Sequence, residues 1–309
     1  MKRPLILLAL LLAAVTPARA AAPGCPTRVL SFNIRYGAAD DGPDSWSRRR
    51  YQVRLAMRDA DADLIGLQEC LPFQADELAA AFGGYLQVGA GRDDGDRAGE
   101  MCAVMVRGIR YEILDSGHAW LSETPERPGP PAWDAACTRM LTWVLLHDRY
   151  CEPDTFVFAN THLDHVGAEA RAKAARVILD FLAEVAKGRP VFLTGDFNAP
   201  AGDSEPWRIL TDPARAAVPL RDAWLAADRR DLPADQGTFH GFGGTPTRGR
   251  IDWILADPGW RVVWAGADTA ARGGRWPSDH FPVAAELRGA WRPGVDRIDA
   301  WTGASPVRR

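Results

Sequence analysis

The chain has 309 residues, with 37 lysines and arginines against 40 acidic residues and a formal net charge of −3. This length is large for one ordinary domain but normal for a two-sheet sandwich with long loops. Beyond the first twenty or so residues, no segment is long and apolar enough to span a membrane. The acidic balance argues against tight binding of long nucleic acid, which usually requires a basic surplus, although a local basic patch would suffice.

Residues 1–22 predict a signal peptide. A short positive start precedes an apolar stretch over 5–15, and Ala18-Arg19-Ala20 fits the small-x-small pattern in front of a cleavage point. A retained membrane anchor is the alternative, whereas lipid attachment at Cys25 is disfavoured because the residues before it lack the usual aliphatic side chain. We therefore expect a secreted or periplasmic protein with no stable membrane insertion after cleavage. Its net charge would be −6, from 34 basic and 40 acidic residues.

Ten short apolar runs predict strands, and three segments predict helices. The strands are expected at 28–34, 64–67, 85–88, 101–106, 111–114, 140–147, 155–160, 191–193, 251–255 and 283–287. The helices are expected to open at 46–48 and to cover 72–82 and 168–186. The strands at 101–106 and 111–114 are expected to form a hairpin, and the segment 121–131, with four prolines, predicts a long loop.

The first predicted helix has a polar start and an apolar face. Ser47 is expected to be its N-cap residue, with Tyr51, Leu55 and Met57 facing inward. Strands dominate both halves of the chain, with helices inserted in each, which favours two packed sheets flanked by helices. No internal repeat or interdomain linker interrupts the chain, so one domain is predicted over 23–288, followed by a poorly ordered C-terminal tail over 289–309.

Five cysteines form an odd set: Cys25, Cys70, Cys102, Cys137 and Cys151. Their spacing matches no zinc pattern, and an exported protein can form disulfides. At least one thiol therefore stays free or pairs between chains. Cys70 is expected to be a buried thiol, a bridge is possible for Cys102, Cys137 or Cys151, and the sequence leaves the pairing open.

Polar residues recur at or just after the ends of the apolar runs. They are Asn33, Glu69, Asn160, His162, Asp196, Asn198, Asp252, Asp279 and His280. Such placement predicts one pocket built from the whole chain. The pocket would be rich in carboxylate, amide and imidazole and would hold no reactive serine or cysteine, which suits a hard divalent cation and a phosphate ester.

Six of these segments resemble, in order, the motifs of the endonuclease/exonuclease/phosphatase superfamily. They read SFNIR at 31–35, LQE at 67–69, NTHLD at 160–164, GDFN at 195–198, RIDWI at 250–254 and SDHFPV at 278–283. The resemblance runs from about Val29 to Leu287, and the segments 120–125 and 237–242 are similar to an exported branch of the superfamily. It implies a four-layer α/β sandwich, with two packed, mainly antiparallel β-sheets flanked by helices. It also implies phosphoester cleavage that depends on Mg²⁺ or Mn²⁺.

The resemblance implies a metal site around Glu69. Glu69 would be the principal ligand, Asn33 would support the metal shell or bind the attacking water, and Asp279 would join the shell. From the residues alone, Glu69 could instead pair with an arginine, and Asn33 could be a turn residue.

Asp196, Asn198 and His280 are the expected centre of the reaction. If the strand continues past Asp196, its carboxylate and the Asn198 amide share one face while Phe197 points into the core. The resemblance implies that Asp196 orients or deprotonates the water, that Asn198 binds a phosphoryl oxygen and that His280 faces the phosphate. Asp252 is expected to contact His280 and fix its tautomer. An Asx turn at Asp196 is the structural alternative, and His280 could be a base or a charged clamp.

His162 and Glu100 resemble the pair that protonates the leaving oxygen in deoxyribonuclease-like members. Abasic-site enzymes carry a tyrosine in the place of this histidine, so His162 argues against that branch of the superfamily. Arg139 is a candidate phosphate ligand, because a guanidinium binds two oxygens at once, or else a surface residue. His240 is expected at the rim of the pocket, where it would bind substrate, or else fills a loop.

We therefore predict an exported hydrolase that cleaves a phosphodiester, of nucleic acid or of a small molecule, by direct attack of water. The alternatives are a phosphomonoesterase acting on a sugar or inositol phosphate, and a catalytically inactive protein that binds a phosphate ligand. The expected partner is the phosphoester substrate, nucleic acid is possible, and the chain is expected to be a monomer.

Overall fold

Two β-sheets lie face to face in the computed structural model, which describes residues 25–214, 218–233 and 235–291. The first sheet contains β1 (Cys25–Asn33), β2 (Leu64–Gln68), β3 (Tyr85–Val88), β4 (Val104–Arg107), β7 (Cys151–Glu152), β11 (Arg229–Arg230), β13 (Arg261–Ala267) and β14 (Val283–Trp291). The second contains β5 (Tyr111–Trp120), β6 (Met140–Asp148), β8 (Thr155–His162), β9 (Val191–Asp196), β10 (Arg221–Asp222) and β12 (Asp252–Ala256).

Neighbouring strands run antiparallel in most places. The first sheet has the order β11-β13-β14-β1-β2-β4-β3, with β7 paired to the end of β14, and the second has the order β10-β12-β9-β8-β6-β5. Only β1/β2, β11/β13 and β8/β9 pair in parallel among the described strands. The predicted mainly antiparallel arrangement is confirmed.

Helices cover the outer faces of both sheets. They are α1 (Trp46–Ala60), α2 (Pro72–Ala81), α3 (Ala168–Ala186) and α4 (Glu205–Thr211), whereas the short α5 (Ala223–Ala226) packs into the core between the sheets. Residues of α1 and α2 share one apolar core with the first sheet, and residues of α3 and α4 share another with the second sheet. A third core fills the space between the sheets. These three cores separate four layers, and the predicted fold class is confirmed.

The apolar runs lack polar alternation because both faces of the central strands are buried. In β8, Phe156 and Phe158 enter the core between the sheets, whereas Val157 and Ala159 pack against the outer helices. Successive side chains of a strand point to opposite faces, so one strand supplies two cores.

A polar contact joins the sheets near the ends of their central strands. Oδ1 of Asn160 accepts hydrogen bonds from Nε2 of Gln68 at 2.6 Å and from Oγ1 of Thr194 at 3.1 Å, and its Nδ2 donates to the carbonyl of Leu67 at 2.8 Å. A Cβ atom at Gly66 would lie 2.5 Å from the same Oδ1 and would overlap Thr194. Glycine is therefore needed at position 66 for the sheets to approach this closely.

Several local predictions were wrong. The strands at 101–106 and 111–114 form no hairpin, because β4 pairs within the first sheet and β5 within the second. The first helix is preceded by Ser45 as its N-cap residue rather than Ser47, and Tyr51 is exposed. Strand β13 and helix α4 were not predicted.

The C-terminal strand is longer than expected. β14 extends to Trp291, so residues 289–291, assigned to the tail, belong to the first sheet. The remainder of the predicted tail and the predicted signal peptide at 1–22 lie outside the described residues. Among the described residues, no helix combines the length and hydropathy needed to cross a bilayer.

One disulfide joins the first strand to the strand β7. It links Cys25 and Cys151, whereas Cys70 and Cys102 are buried free thiols and Cys137 is a half-buried one. The expectation for Cys70 is confirmed. Of the three cysteines considered for a bridge, only Cys151 forms one, and its partner is Cys25.

Candidate active site

The polar residues at the strand ends meet at one edge of the sandwich. β1 ends at Asn33, β8 at His162 and β9 at Asp196. β12 runs antiparallel to β9 and pairs Asp252 with Asp196, and β14 runs antiparallel to β1. The residues at the start of β12 and just before β14, including His280, therefore reach the same edge.

Asp196 lies at the centre of this cluster. Its Oδ2 is 3.0 Å from Nδ2 of Asn33, 3.4 Å from Nε2 of His162 and 3.7 Å from Nε2 of His280. Burial raises the pKa of Asp196 to about 7, and the negative charge of Asp252 adds to this effect. A carboxyl group that ionises near neutral pH is well suited to accept a proton from water.

One amide bridges the two carboxylates of the site. Nδ2 of Asn33 donates to Oδ2 of Asp196 and to Oε1 of Glu69, the latter at 2.9 Å, while its Oδ1 accepts from the backbone N–H of Arg35. Oε2 of Glu69 accepts from the N–H of Tyr36 at 2.8 Å. Burial opposes ionisation of Glu69, but the Asn33 hydrogen bond and the charge of His280 hold its pKa below the ordinary value. Glu69 is therefore anionic.

The donor set around Glu69 fits a hard divalent cation. Carboxylate oxygens of Glu69 and Asp196 lie within 4.8 Å of each other, and a ring nitrogen of His280, which is paired with Asp252, lies within the same distance. The carboxylates of half-buried Glu69 and buried Asp196 repel each other when both are ionised, and a divalent cation between them would relieve that repulsion. The amide nitrogen of Asn33, rather than its oxygen, faces the carboxylates, so in this arrangement Asn33 orients the ligands.

His280 and Asp252 form the contact expected from the sequence. Nδ1 of His280 lies 3.0 Å from Oδ2 of Asp252, and both side chains are buried. Burial lowers the pKa of His280, but the charges of Asp252 and Asp196 outweigh it and raise the pKa to about 10. His280 is thus an imidazolium at neutral pH, which suits a charged clamp on a phosphoryl oxygen better than a base.

His162 is held by Asn198 rather than by Glu100. Nδ2 of Asn198 donates to Nε2 of His162 and to the carbonyl of Leu163, both at 3.0 Å, so both of its hydrogens are engaged. Nδ1 of His162 then carries the proton, and it has no partner among the described residues. The expected Glu100–His162 pair is wrong, because Glu100 binds Nη1 of Arg92 at 2.8 Å. Burial, with the charges of Arg139 and Arg92, keeps the pKa of His162 well below its ordinary value.

The chain turns sharply where it leaves the site. β9 ends at Asp196, and the N–H of Asn198 donates to Oδ1 of Asp196, so the structural alternative of an Asx turn is present and the strand does not continue. Asn198, Glu69 and Arg35 have φ angles of 48°, 57° and 60°. Left-handed backbone at a non-glycine residue costs on the order of 1–3 kcal/mol, and such strain concentrates at functional sites.

Arg139 is buried in the wall of the site rather than lying on the surface. Its Nε is 3.4 Å from Oδ2 of Asp164, and its Nη2 is 3.0 Å from Nδ1 of His165. Ligand atoms of Cys137, Asp164 and His165 also lie within 4.8 Å of one another, but the guanidinium in their midst disfavours a second cation. N–H groups of Gly167 and Val166 offset burial and hold the pKa of Asp164 at about 2.

A small cavity opens beside the proposed metal ligand. Glu69 and His162 line one part of its wall, and Arg92, Glu100 and Arg139 line another. Burial raises the pKa of Glu100 above its ordinary value, although the charge of Arg92 opposes this. No sequence pattern indicated Arg92, which lies in a loop rich in glycine and aspartate.

Two predicted site residues lie behind the cluster. His240 is only 3 % exposed and stacks on Phe281 with ring centroids 4.1 Å apart, so the rim position expected for it is wrong. Burial lowers the pKa of His240 to about 4. Asp279 accepts a hydrogen bond from Oγ of Ser278 at 3.1 Å and lies 3.7 Å from Nη1 of Arg35.

Arg49 ties the loops around the site together and was missed. Its guanidinium donates to the backbone carbonyls of Asp44, Ile34, Arg35 and Pro277, the last of which directly precedes the segment 278–280. Burial lowers the pKa of Arg49 to about 10. A signal existed, because position 49 falls on the buried stripe of α1, where a charged residue requires a structural reason.

Comparisons with known proteins agree with this fold. Residues 30–280 match the profile of a family described as Endonuclease/Exonuclease/phosphatase. A solved endonuclease/exonuclease/phosphatase family protein from Bacteroides thetaiotaomicron superposes with a TM-score of 0.78 at 32% identity, over 85% of this chain and 95% of that one. A mannosyl-6-phosphatase from the same organism gives 0.76 and 32%, over 84% and 99%.

More distant structures share the fold. The catalytic domain of human Nocturnin, with bound sulfate, has a TM-score of 0.67 at 20% identity, covering 86% of this chain and 95% of that one. None of the curated protein sequences matches significantly.

Proposed function

The chain belongs to the endonuclease/exonuclease/phosphatase family and is a phosphoester hydrolase, and from this premise we propose that it hydrolyses a phosphomonoester by direct attack of water, with Mg²⁺ or Mn²⁺ bound at Glu69. The observation that carries the proposal is the position of Asp196. A carboxyl group that ionises near neutral pH lies between an amide, a neutral imidazole and an imidazolium.

The residues of the chain divide the reaction between them. A divalent cation, when bound, would polarise the phosphoryl group and lower the pKa of water beside it. Asp196 takes a proton from the attacking water as the new oxygen–phosphorus bond forms and the ester oxygen–phosphorus bond breaks. The imidazolium of His280, held by Asp252, donates to a phosphoryl oxygen that gains negative charge.

The leaving oxygen takes its proton from His162 in this scheme. Burial keeps this imidazole neutral, but a phosphate dianion beside it would favour the imidazolium. Asn198 holds the ring, and it would have to give up one of its two hydrogen bonds in order to bind a phosphoryl oxygen as well.

Two observations support a monoester over the phosphodiester predicted from the sequence. The cavity beside Glu69 is small and is lined by an ion pair and a few apolar side chains, which suits a small, uncharged leaving group. Among the similar structures, the mannosyl-6-phosphatase is 32% identical, whereas Nocturnin and the TDP2 structures, at 18–20%, speak only for the fold.

We also propose that the protein is exported. The residues 1–22 have the pattern of a signal peptide. The disulfide between Cys25 and Cys151 supports the same conclusion, since such bonds persist in oxidising compartments. Mass spectrometry of protein recovered from the producing cell would reveal whether the mature chain lacks these residues and holds the disulfide.

Hydrolysis of p-nitrophenyl phosphate and of bis(p-nitrophenyl) phosphate tests the reaction. Each is measured with Mg²⁺, with Mn²⁺ and with EDTA, for the native protein and for Asp196→Asn and His280→Ala. We expect turnover of the monoester that is lost with EDTA and reduced at least ~100-fold in both variants. Turnover of the diester alone would restore the diester prediction. Full activity of folded Asp196→Asn and His280→Ala proteins would refute the assigned roles.

A further inference from the structure

We propose that Arg92 and Glu100, beside the imidazole of His162 that protonates the leaving oxygen, form a subsite that binds hydroxyl groups of an uncharged, sugar-like leaving group. The inference rests on the proposed function and names the substrate class of the same site. The three side chains line the small cavity beside Glu69, so hydroxyl groups of the leaving group face this cavity when the phosphate lies against Asp196 and His280.

The loop that carries Arg92 is rigidly built. The backbone N–H of Arg92 donates to the carbonyl of Glu100 at 3.0 Å, and Nε1 of Trp120 donates to the carbonyl of Arg92 at 2.7 Å. A Cβ atom at Gly99 would lie 2.5 Å from Oδ2 of Asp93. The Arg92–Glu100 ion pair is therefore presented to the cavity in a fixed orientation, with each side chain 16% exposed.

Two polar atoms in this wall make no hydrogen bond to any described residue. They are Nε of Arg92, which lies 3.7 Å from Oδ1 of Asp93, and Nδ1 of His162, and both are buried. His162 is only 5 % exposed. An unpaired buried donor costs about 1–3 kcal/mol, so both donors favour a ligand that brings acceptor oxygens into the cavity.

The charges of the cavity select a neutral ligand. Arg92 is paired with Glu100 at 2.8 Å, and Arg139 is paired with Asp164 at 3.4 Å. No arginine of the described wall is left to neutralise a second phosphate or a carboxylate. An ion pair offers donors and acceptors side by side, which matches the hydroxyl groups of a polyol.

A nucleobase fits the cavity poorly. Its described lining contains no phenylalanine, tyrosine or tryptophan on which a base could stack. The apolar part of the wall consists of Met101, Cys102 and Met140. The cavity wall thus combines the Arg92–Glu100 ion pair, whose charges cancel, with a small apolar surface.

A matched pair of substrates tests the subsite. Mannose 6-phosphate and cyclohexylmethyl phosphate both carry a primary phosphate on a six-membered ring, but only the first has ring hydroxyl groups. The ratio of their kcat/KM values is measured with Mg²⁺ for the native protein, Arg92→Met, Glu100→Gln and the control Arg127→Met, whose side chain is 71% exposed. Binding of the hydrolysis-resistant phosphonate of each compound is measured by calorimetry.

We expect the native protein to prefer the sugar phosphate by at least ~100-fold, because a site built to bind hydroxyl groups rejects an analogue that lacks them. Arg92→Met and Glu100→Gln should each reduce the preference at least tenfold, and Arg127→Met should retain it. Equal affinity of the native protein for both phosphonates would overturn the subsite, as would an unchanged preference in both folded variants.

The two proposals fail in different ways. Selective binding of the sugar phosphonate without turnover of either phosphate would uphold the subsite and refute the proposed function. Turnover of both phosphates at similar kcat/KM would uphold the proposed function and refute the subsite.

Discussion

Oδ2 of Asp252 lies 3.0 Å from Nδ1 of His280. Asp252 begins β12, which pairs with β9, the strand that ends at Asp196. The contact holds a buried imidazole in its charged form, with a pKa of about 10 against an ordinary value of 6.5. Because the folded-state pKa is the higher one, the charge stabilises the fold at neutral pH. That contribution is lost as the pH rises through about 10.

The first prediction concerns this contact and the alkaline limit of activity. If the imidazolium of His280 binds a phosphoryl oxygen, kcat/KM should fall as the pH rises through about 10. Asp252→Asn removes the negative charge that counteracts the effect of burial on the pKa of His280. That pKa should therefore fall, and the alkaline decline of kcat/KM should move to lower pH by at least ~1 pH unit. Profiles of kcat/KM from pH 6 to about 10.5 measure the shift. Asp257→Asn serves as a surface control, and an unmoved limb in Asp252→Asn would count against the clamp.

The second prediction concerns the amide that bridges the two carboxylates. Asn33→Ala leaves Glu69 and Asp196 side by side without the shared donor. We expect kcat/KM to fall roughly 10–100-fold, the usual cost of losing a residue that orients metal ligands. A titration of activity against Mg²⁺ separates weaker metal binding from slower chemistry. If kcat/KM and the Mg²⁺ concentration needed for half-maximal activity are both unchanged, the bridge has no functional role.

The third prediction concerns metal and thermal stability. A cation that binds only the folded protein, at about 100 times its dissociation constant, raises the free energy of unfolding by about 2.7 kcal/mol. Mg²⁺ or Mn²⁺ should therefore raise the Tm of the native protein, and Glu69→Gln should abolish the increase. The exposed Glu112→Gln is the control. If neither ion changes the Tm of the native protein, the proposed metal site is contradicted.

The fourth prediction concerns the close approach of the two sheets. A methyl group at position 66 would overlap Thr194 and the Asn160 side chain, and overpacking of this kind typically costs about 1–3 kcal/mol. Gly66→Ala should lower the free energy of unfolding by that amount in a urea titration. Gly83→Ala, where a Cβ atom would meet nothing within 4 Å, should be nearly neutral. Equal stability of the two variants would disprove the steric argument.

The site cluster was accessible from the sequence because its residues follow apolar strands. Asn33, His162, Asp196 and His280 each stand at or near a strand end, and parallel or antiparallel pairing then brings those ends to one edge. The family resemblance added the contact between Asp252 and His280. Secondary-structure pattern and motif order together were sufficient for the fold class.

Other features depend on tertiary contacts that no local pattern reports. The Arg92–Glu100 pair forms within a loop that has no periodic pattern. The sequence therefore did not indicate that Glu100 would bind Arg92 instead of His162. β13 was not predicted although Arg261–Ala267 is largely apolar, and its pairing with β14 is irregular between Val262 and Trp264. The supposed hairpin failed because adjacent apolar runs can enter different sheets as readily as pair with each other.

Strand β14, described above as the neighbour of both β1 and β13, closes the middle of the first sheet with the last described stretch of the chain. The two parts of the first sheet therefore cannot join through β14 until Val283–Trp291 has been synthesised. His280 stands directly in front of that strand, while Asn33 was made nearly 250 residues earlier. No nascent fragment carries the complete chemistry, so hydrolysis begins only when the whole domain has been synthesised and folded.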